Sequence, residues 1–128
     1  MLFEHIDARR IVAKPMALDA VAWPDGTIAL RIAADDVLLI GDDTTDIDVG
    51  DEHAIISDDA GWSGVWLTND EIESIALHDI HWPLPTERPA FVQGLIAAIP
   101  AKLRFGAGGE ALLLVATVSV DEMQERLS

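Results

Sequence analysis

The chain has 128 residues and a formal net charge of −15, half of its residues are hydrophobic, and it contains no cysteine. This length is typical of one domain with one core, and the lack of cysteine excludes disulfide frameworks, thiolate nucleophiles and sulfur-ligated zinc. No apolar run reaches the roughly 18 residues of a membrane-spanning helix. We therefore expect a single domain over residues 1–128 and no membrane partner.

The acidic residues are concentrated in the middle of the sequence. Between Asp19 and Asp79 there are sixteen acids and one base, Arg31, whereas the flanking segments together carry seven acids and seven bases. An acidic surface repels phosphate backbones, so we expect no nucleic-acid partner; it suits a basic partner surface or simply keeps the domain soluble. The start, MLFEHIDARR, lacks the basic and apolar regions of a signal peptide, which favours a cytoplasmic location.

The first predicted elements are short strands. Residues 16–23 are mostly apolar, and Pro24-Asp25-Gly26 is a turn sequence before β-forming residues at 27–32, so together they predict a hairpin. Residues 37–40 predict a strand buried on both faces. The acidic residues 42–52 predict an exposed loop, which we expect to be the most mobile part of the chain.

A second hairpin is predicted in the middle of the chain. Residues 53–57 and 63–67 contain β-branched and aromatic residues on either side of residues 58–61, which have turn chemistry. This arrangement would place Trp62 and Trp66 on one face of the hairpin.

A short helix and a stiff connection follow. Thr68 is a predicted N-cap, acids occupy the first turn, and Ile72 and Ile75 recur at helical spacing up to about Leu77. Residues 82–89 contain three prolines, which fit neither the interior of a helix nor a central strand.

The C-terminal part predicts three strand segments. Residues 91–99 and 101–105 form two candidate strands separated by Pro100. Gly106-Ala-Gly-Gly109 has the chemistry of a hairpin turn, and it leads into the third segment, residues 111–118.

A terminal helix completes the predicted elements. Ser119 and Glu122 form a capping-box pattern, and Met123 and Leu127 fall on one face of the helix that follows. The predicted fold class is α+β, a mainly antiparallel sheet with two short helices packed on it.

Two groups of residues have metal-ligand chemistry. Asp42, Asp46 and Asp48 resemble part of a calcium loop, but the glycine and glutamate that an EF-hand requires are replaced by Ile47 and His53. The group therefore predicts a solvated loop.

The second group is a histidine pair. His78 and His81 could converge on one metal with Asp79 or His53 as third ligand. A structural position at a helix end is the competing interpretation, because Trp82-Pro83 ends any helix here.

Four tryptophans are many for a chain without tyrosine. Such rings pack in cores, anchor protein interfaces, or stack on flavins or folates. We take Trp62, Trp66, Trp82 and His81 as candidate residues of a partner-binding or ligand-binding site.

Two stretches carry a resemblance to a known family. They are residues 30–41, LRIAADDVLLIG, and a C-terminal set comprising RPAFVQGLI at 88–96, PAKL at 100–103, Leu114-Val115 and EMQERL at 122–127. Together they resemble the gamma subunit of heterotetrameric sarcosine oxidase, whose fold is similar to the folate-binding domain of the glycine-cleavage T-protein. The resemblance covers about half the chain, and this chain is shorter than that subunit. It implies a small non-catalytic subunit packed against larger flavin-bearing chains, and no catalytic or cofactor residue carries over.

The sequence has no recognised catalytic motif. No serine lies in a nucleophile elbow, and there is neither a phosphate loop nor a dinucleotide-binding fingerprint, so we expect no catalytic residue and no cofactor. We interpret the chain as a non-catalytic accessory domain that binds a larger protein subunit or a second copy of itself. Two alternatives stay open. One is a small-molecule site, for folate or flavin, at Trp62, Trp66 and His81. The other is a metal-dependent enzyme centred on His78, Asp79 and His81.

Overall fold

The computed structural model describes residues 1–41 and 46–128. Contacts divide them into two compact units: an N-terminal unit, Ile6–Ala60, and a C-terminal unit, Met1–His5 with Gly61–Ser128. The elements in chain order are β1 (Glu4–Val12), α1 (Pro15–Asp19), β2 (Ile28–Ala33), β3 (Asp36–Ile40), β4 (Ile55–Leu67), α2 (Asn69–Asp79), β5 (Ala90–Ile96), β6 (Ile99–Phe105), β7 (Ala111–Ala116), a 3₁₀ turn (Thr117–Ser119) and α3 (Val120–Leu127). β1 and β4 have residues in both units.

The predicted α+β class with a mainly antiparallel sheet is confirmed. The strands pair antiparallel, β1 with β3, β2 with β3, β4 with β7, β5 with β6 and β6 with β7. The described part of the chain contains three α-helices, so the expected number of two was wrong. No helix in it is long and apolar enough to cross a membrane.

In the N-terminal unit, α1 replaces the first strand of the predicted hairpin. Pro15 stands at the start of the helix, where its fixed φ favours helix and its missing N–H removes no bond. The following residues, MALD, are mostly good helix formers, and Leu18 is buried in the core of this unit. The turn before β2 is confirmed by a 3.2 Å hydrogen bond from the Thr27 N–H to the Pro24 carbonyl.

β4 is one continuous strand, so the hairpin predicted over residues 53–67 was wrong. The turn-forming residues 58–61 lie inside it. A long-range ion pair contributes to the difference. Arg10 on β1 donates two hydrogen bonds to the Asp36 carboxylate, at 2.7 and 2.9 Å, and a third to Asp59 at 3.1 Å. Pairing with Arg10 stabilises Asp59 within a strand, an environment its local sequence disfavours.

The acidic segment is only partly the exposed loop expected. Residues 42–45 lie outside the described residues. Beyond them, Ile47 and Val49 pack against the core of the N-terminal unit. Asp51 accepts the backbone N–H groups of Lys14 and His53, each at 2.9 Å. These bonds lower the pKa of the Asp51 carboxyl and tie the segment to the start of α1.

In the C-terminal unit the strand order is β4-β7-β6-β5. One side of these strands faces the core of the unit, to which α2 contributes Ile72 and Ile75 and α3 contributes Met123. Leu127 packs against the same cluster, which confirms the predicted apolar face of the terminal helix. The predicted glycine-rich turn before β7 is also confirmed, by a 2.8 Å hydrogen bond from the Gly106 N–H to the Glu110 carbonyl.

β5 and β6 form a tight hairpin that breaks at Ala97-Ala98 and not at Pro100, where the break was predicted. Both alanines have positive φ, 51° and 65°, as a two-residue type I′ turn requires. Pro100 lies within β6 opposite Leu95. In a hairpin of this kind the pair next to the turn is hydrogen-bonded and the following pair is not, so Pro100 removes no bond between the two strands.

Both helices hold the turn of this hairpin. The Ala97 N–H donates to the carbonyl of Asp79 at the end of α2, at 2.9 Å. Arg126 in α3 donates to the Ala97 carbonyl at 2.6 Å. These bonds offset the cost of placing side-chain-bearing residues in the left-handed region.

Trp82 secures the outer strand of the hairpin. Its indole N–H donates to the Leu95 carbonyl at 2.8 Å, and its ring packs against the core of the C-terminal unit. The ring occupies the space beside Gly94, where an added Cβ would stand 2.6 Å from the Trp82 Cε2 atom. Glycine is therefore required at this position by close packing.

The two predicted helix caps have different outcomes. Thr68 and Glu71 form the complete reciprocal capping box at the start of α2. Ser119 makes no capping hydrogen bond because a 3₁₀ turn precedes α3. The side chain of Glu122 pairs with Arg126 one turn later.

Replacing Gly94 with alanine should destabilise the protein by about 1–3 kcal/mol, because the new methyl group overlaps Trp82. The measurement is chemical denaturation, with Gly50→Ala as control because an added Cβ there meets nothing within 4 Å. In the Trp82→Ala background the Gly94→Ala penalty should largely disappear. A penalty that is unchanged in that background would show that the overlap is not its cause.

Replacing Thr68 with alanine should cost about 1 kcal/mol of stability, while Ser119→Ala should cost little, since only Thr68 caps a helix. The Thr68 N–H lowers the pKa of Glu71 below its ordinary value of 4.5. Its carboxylate therefore stabilises the folded state above that ordinary pKa, and the contribution is lost as pH falls through the lower folded pKa. Other carboxylates, Asp51 among them, also lose stability as pH falls, so the Glu71 contribution is the difference in stability between the wild type and Glu71→Gln. In denaturation between pH 3 and 7 this difference should shrink as pH falls. Equal effects of the Thr68 and Ser119 substitutions would contradict the assignment.

Candidate functional site

A pocket of about 280 Å³ lies in the C-terminal unit, on the side of the strands opposite the core. Its lining residues come from β4, β5, β6 and β7 and are Trp62, Gln93, Gly94, Leu95, Pro100, Ala101, Lys102 and Ala116. Most of them are apolar. None of these described lining residues is acidic.

Strand alternation explains why this set of side chains meets. In β6, Ala101 and Leu103 belong to the core, so Pro100 and Lys102 point to the other side. The neighbouring strands add residues in direct register. Leu95 stands opposite Pro100, Gln93 opposite Lys102, and Trp62 opposite Ala116.

Lys102 supplies the charge of the pocket. Its Nζ atom donates to the Gln93 Oε1 atom at 2.6 Å and lies 5.0 Å from the centre of the Trp62 ring, within the distance for a cation–π interaction. Because Lys102 is only partly exposed, its charge is screened less than that of a lysine on the open surface. The arrangement combines an apolar wall with a fixed positive charge.

The charges of the C-terminal unit are segregated. Residues 62–67, β5, β6 and β7 together contain two basic residues, Lys102 and Arg104, and no acid. Both bases lie on β6 and, by alternation, on the side of the pocket. The pocket is therefore a local positive region in a chain whose net charge is −15.

Of the four predicted site residues, Trp62 alone lines the pocket. Trp66 lies on the same side of β4, as predicted, but four residues further along, which is about 13 Å in a strand. It is 53% exposed. Trp82 lies on the opposite, core side of the hairpin, and His81 is exposed beside it. The four residues therefore do not form one site.

The histidine pair is not part of a metal-binding group in the described residues. Within residues 1–41 and 46–128 there is no cluster of three or more histidine or carboxylate side chains placed to hold a metal ion. His78 is exposed in the last turn of α2, and His81 lies beyond its end. The backbone carbonyl of Asp79 accepts a hydrogen bond from the Ala97 N–H. Asp46 and Asp48 are exposed, and Asp42 lies outside the described residues.

A second, wider recess of about 530 Å³ lies in the N-terminal unit. It is bounded by α1, the residues after it, and the segment around Asp48 and Gly50. Lys14 and Asp48 are its charged lining residues, and Met16 at its edge is 84% exposed. Trp23 lies in the same unit but packs against the core, so this recess has no aromatic wall.

Comparison with known protein families, with curated proteins and with solved structures finds no match for this chain. The functional assignment consequently depends on the pocket itself.

Sequence reasoning missed Lys102, Leu95 and Pro100 as site residues. A signal was present in PAKLR at residues 100–104, where two bases alternate with apolar residues in a strand pattern. Pro100, interpreted as a strand break, concealed the hairpin that brings Leu95 and Lys102 together.

Proposed function

We propose that this chain is a non-catalytic interaction domain and that its pocket receives an apolar side chain of a partner protein. The observation that carries the proposal is Leu95, which is 54% exposed at the pocket. Leu95 stands opposite Pro100 and lines the pocket together with Trp62. Burying a fully exposed leucine contributes about 1.5–3 kcal/mol, so covering the exposed half of Leu95 contributes about half of that. The apolar side chain of the partner adds its own burial, and together they can form an energetic centre of an interface.

The size of the pocket supports a side chain as its occupant. Sites that enclose a whole small molecule usually measure about 300–1,000 Å³. The volume here, about 280 Å³, lies at the small end of that range and accommodates one leucine-sized or phenylalanine-sized group. Trp62 offers such a group a broad, rigid apolar surface.

A more specific proposal concerns which protein the partner is. The resemblance to the gamma subunit of sarcosine oxidase suggests a larger subunit of a flavin-dependent amine-oxidising complex. A second copy of this chain is the other partner considered. In either case the role proposed here is binding, and the chemistry would belong to the partner.

A small-molecule site is the second candidate, because Trp62 could stack on the ring of a ligand such as a folate while Lys102 pairs with one of its carboxylates. Titrating the protein with flavins and folates while following tryptophan fluorescence tests this candidate. Quenching that is lost in Trp62→Phe would support it. Unchanged emission with every ligand would remove it.

Replacing Leu95 with glutamate should reduce partner binding at least tenfold, because a carboxylate would enter an apolar contact. The measurement is capture of partners from native lysate by the tagged full chain, quantified by mass spectrometry. Leu77→Glu is the matched control, since Leu77 is 77% exposed on α2, away from the pocket.

The proposal requires one protein, or a second copy of the chain, to be retained by the wild type and Leu77→Glu and lost with Leu95→Glu. Equal recovery by all three would contradict it. So would a wild-type chain that is recovered alone and is monomeric by light scattering.

A further inference from the structure

We infer that the pocket selects a partner segment in which a carboxylate stands directly beside an apolar side chain. This inference rests on the proposed function and specifies the chemistry of the occupant. Trp62, Leu95 and Pro100 would contact the apolar side chain of the partner, and Lys102 would bind its carboxylate.

Lys102 lies close enough to the apolar residues of the pocket for both contacts to be made at once. Its ammonium group lies 5.0 Å from the Trp62 ring centre and 2.6 Å from the Gln93 amide oxygen. If an apolar side chain of the partner packs on the Trp62 ring, a carboxylate next to that side chain therefore lies close to the Lys102 ammonium group. In a leucine at the C-terminus of a chain, the side chain and the carboxylate lie a few covalent bonds apart, a separation of the right order for the 5.0 Å between the ammonium and the Trp62 ring centre.

Binding does not require a vacant donor on Lys102. The Gln93 Oε1 atom is a neutral acceptor, whereas a carboxylate adds the Coulomb attraction of a full negative charge to the hydrogen bond that it accepts from the ammonium. An incoming carboxylate would exchange with the amide oxygen of Gln93, a residue that is exposed on β5.

Charge complementarity favours a partner segment with a carboxylate over one with a cationic or neutral group at the same place. The pocket lining contains one base and no acid among the described residues. Arg104, two residues along β6 on the same side, adds to the positive potential. A cationic group would be repelled here, although it would be attracted to most of the remaining surface of a chain with net charge −15.

The test compares two probes of nearly equal size and shape, N-acetyl-L-leucine, which carries a carboxylate, and N-acetyl-L-leucinamide, which carries a neutral amide in its place. Each is titrated into the full ¹⁵N-labelled chain while the indole N–H signal of Trp62, assigned with Trp62→Phe, is followed by NMR. The acid should bind about fivefold or more tightly than the amide, a preference that should shrink as salt rises from about 0.05 to about 0.5 M.

Two variants locate the origin of this preference. Lys102→Met keeps the aliphatic stem and removes the charge, so it should bind acid and amide equally. Arg104→Met, on the same side of the same strand, should retain most of the preference. Backbone amide signals outside the pocket that match those of the wild type verify that each variant is folded.

The outcomes separate this inference from the proposed function. Equal binding of acid and amide by the wild type would overturn the carboxylate inference and leave the apolar pocket standing. An acid preference that survives Lys102→Met would overturn it too, by placing the charge recognition elsewhere. No shift at Trp62 from either probe would count against both the inference and the proposed function.

Discussion

The packing of Trp82 against Gly94 is the constraint on which the candidate site depends. The indole lies where a side chain at Gly94 would stand and donates to the Leu95 carbonyl. One interaction thus fixes β5 from the core side, while the next residue along, Leu95, faces the pocket. Since β5 is hydrogen-bonded to β6, it also fixes the strand that carries Lys102. Core packing and the candidate binding surface are two sides of the same hairpin.

Charge is distributed to suit a binding role. The acids of the C-terminal unit lie in its helices, its connecting segments and at Glu4, and its four strand segments from residue 62 onward carry two bases and no acid. A strongly acidic exterior limits non-specific association with other acidic surfaces. A small basic and apolar region within it favours partners that combine an apolar anchor with a carboxylate. Lys102 beside Trp62 is the centre of that region.

Much of the fold was predictable from local chemistry, and the errors have common physical causes. The cap at Thr68, the glycine-rich turn before β7 and the buried strand β3 were found because each depends on neighbouring residues. The continuous strand β4 was missed because long-range contacts, such as the bond from Arg10 to Asp59 49 residues away, act against a local turn signal. The turn at Ala97 was missed because two helices, and not glycine, stabilise its positive φ. The candidate site follows from strand register, so Trp62 was identified and Lys102 was not.

The central claim is that the surface around Leu95 meets a partner protein, and site-specific photo-crosslinking tests it most directly. A benzophenone amino acid introduced at position 95, and separately at position 77, is activated in cells that express the chain. Our account predicts one dominant crosslinked protein, or a crosslinked dimer, from position 95 and none from position 77. Crosslinks from position 77 alone, or the same pattern from both positions, would contradict it.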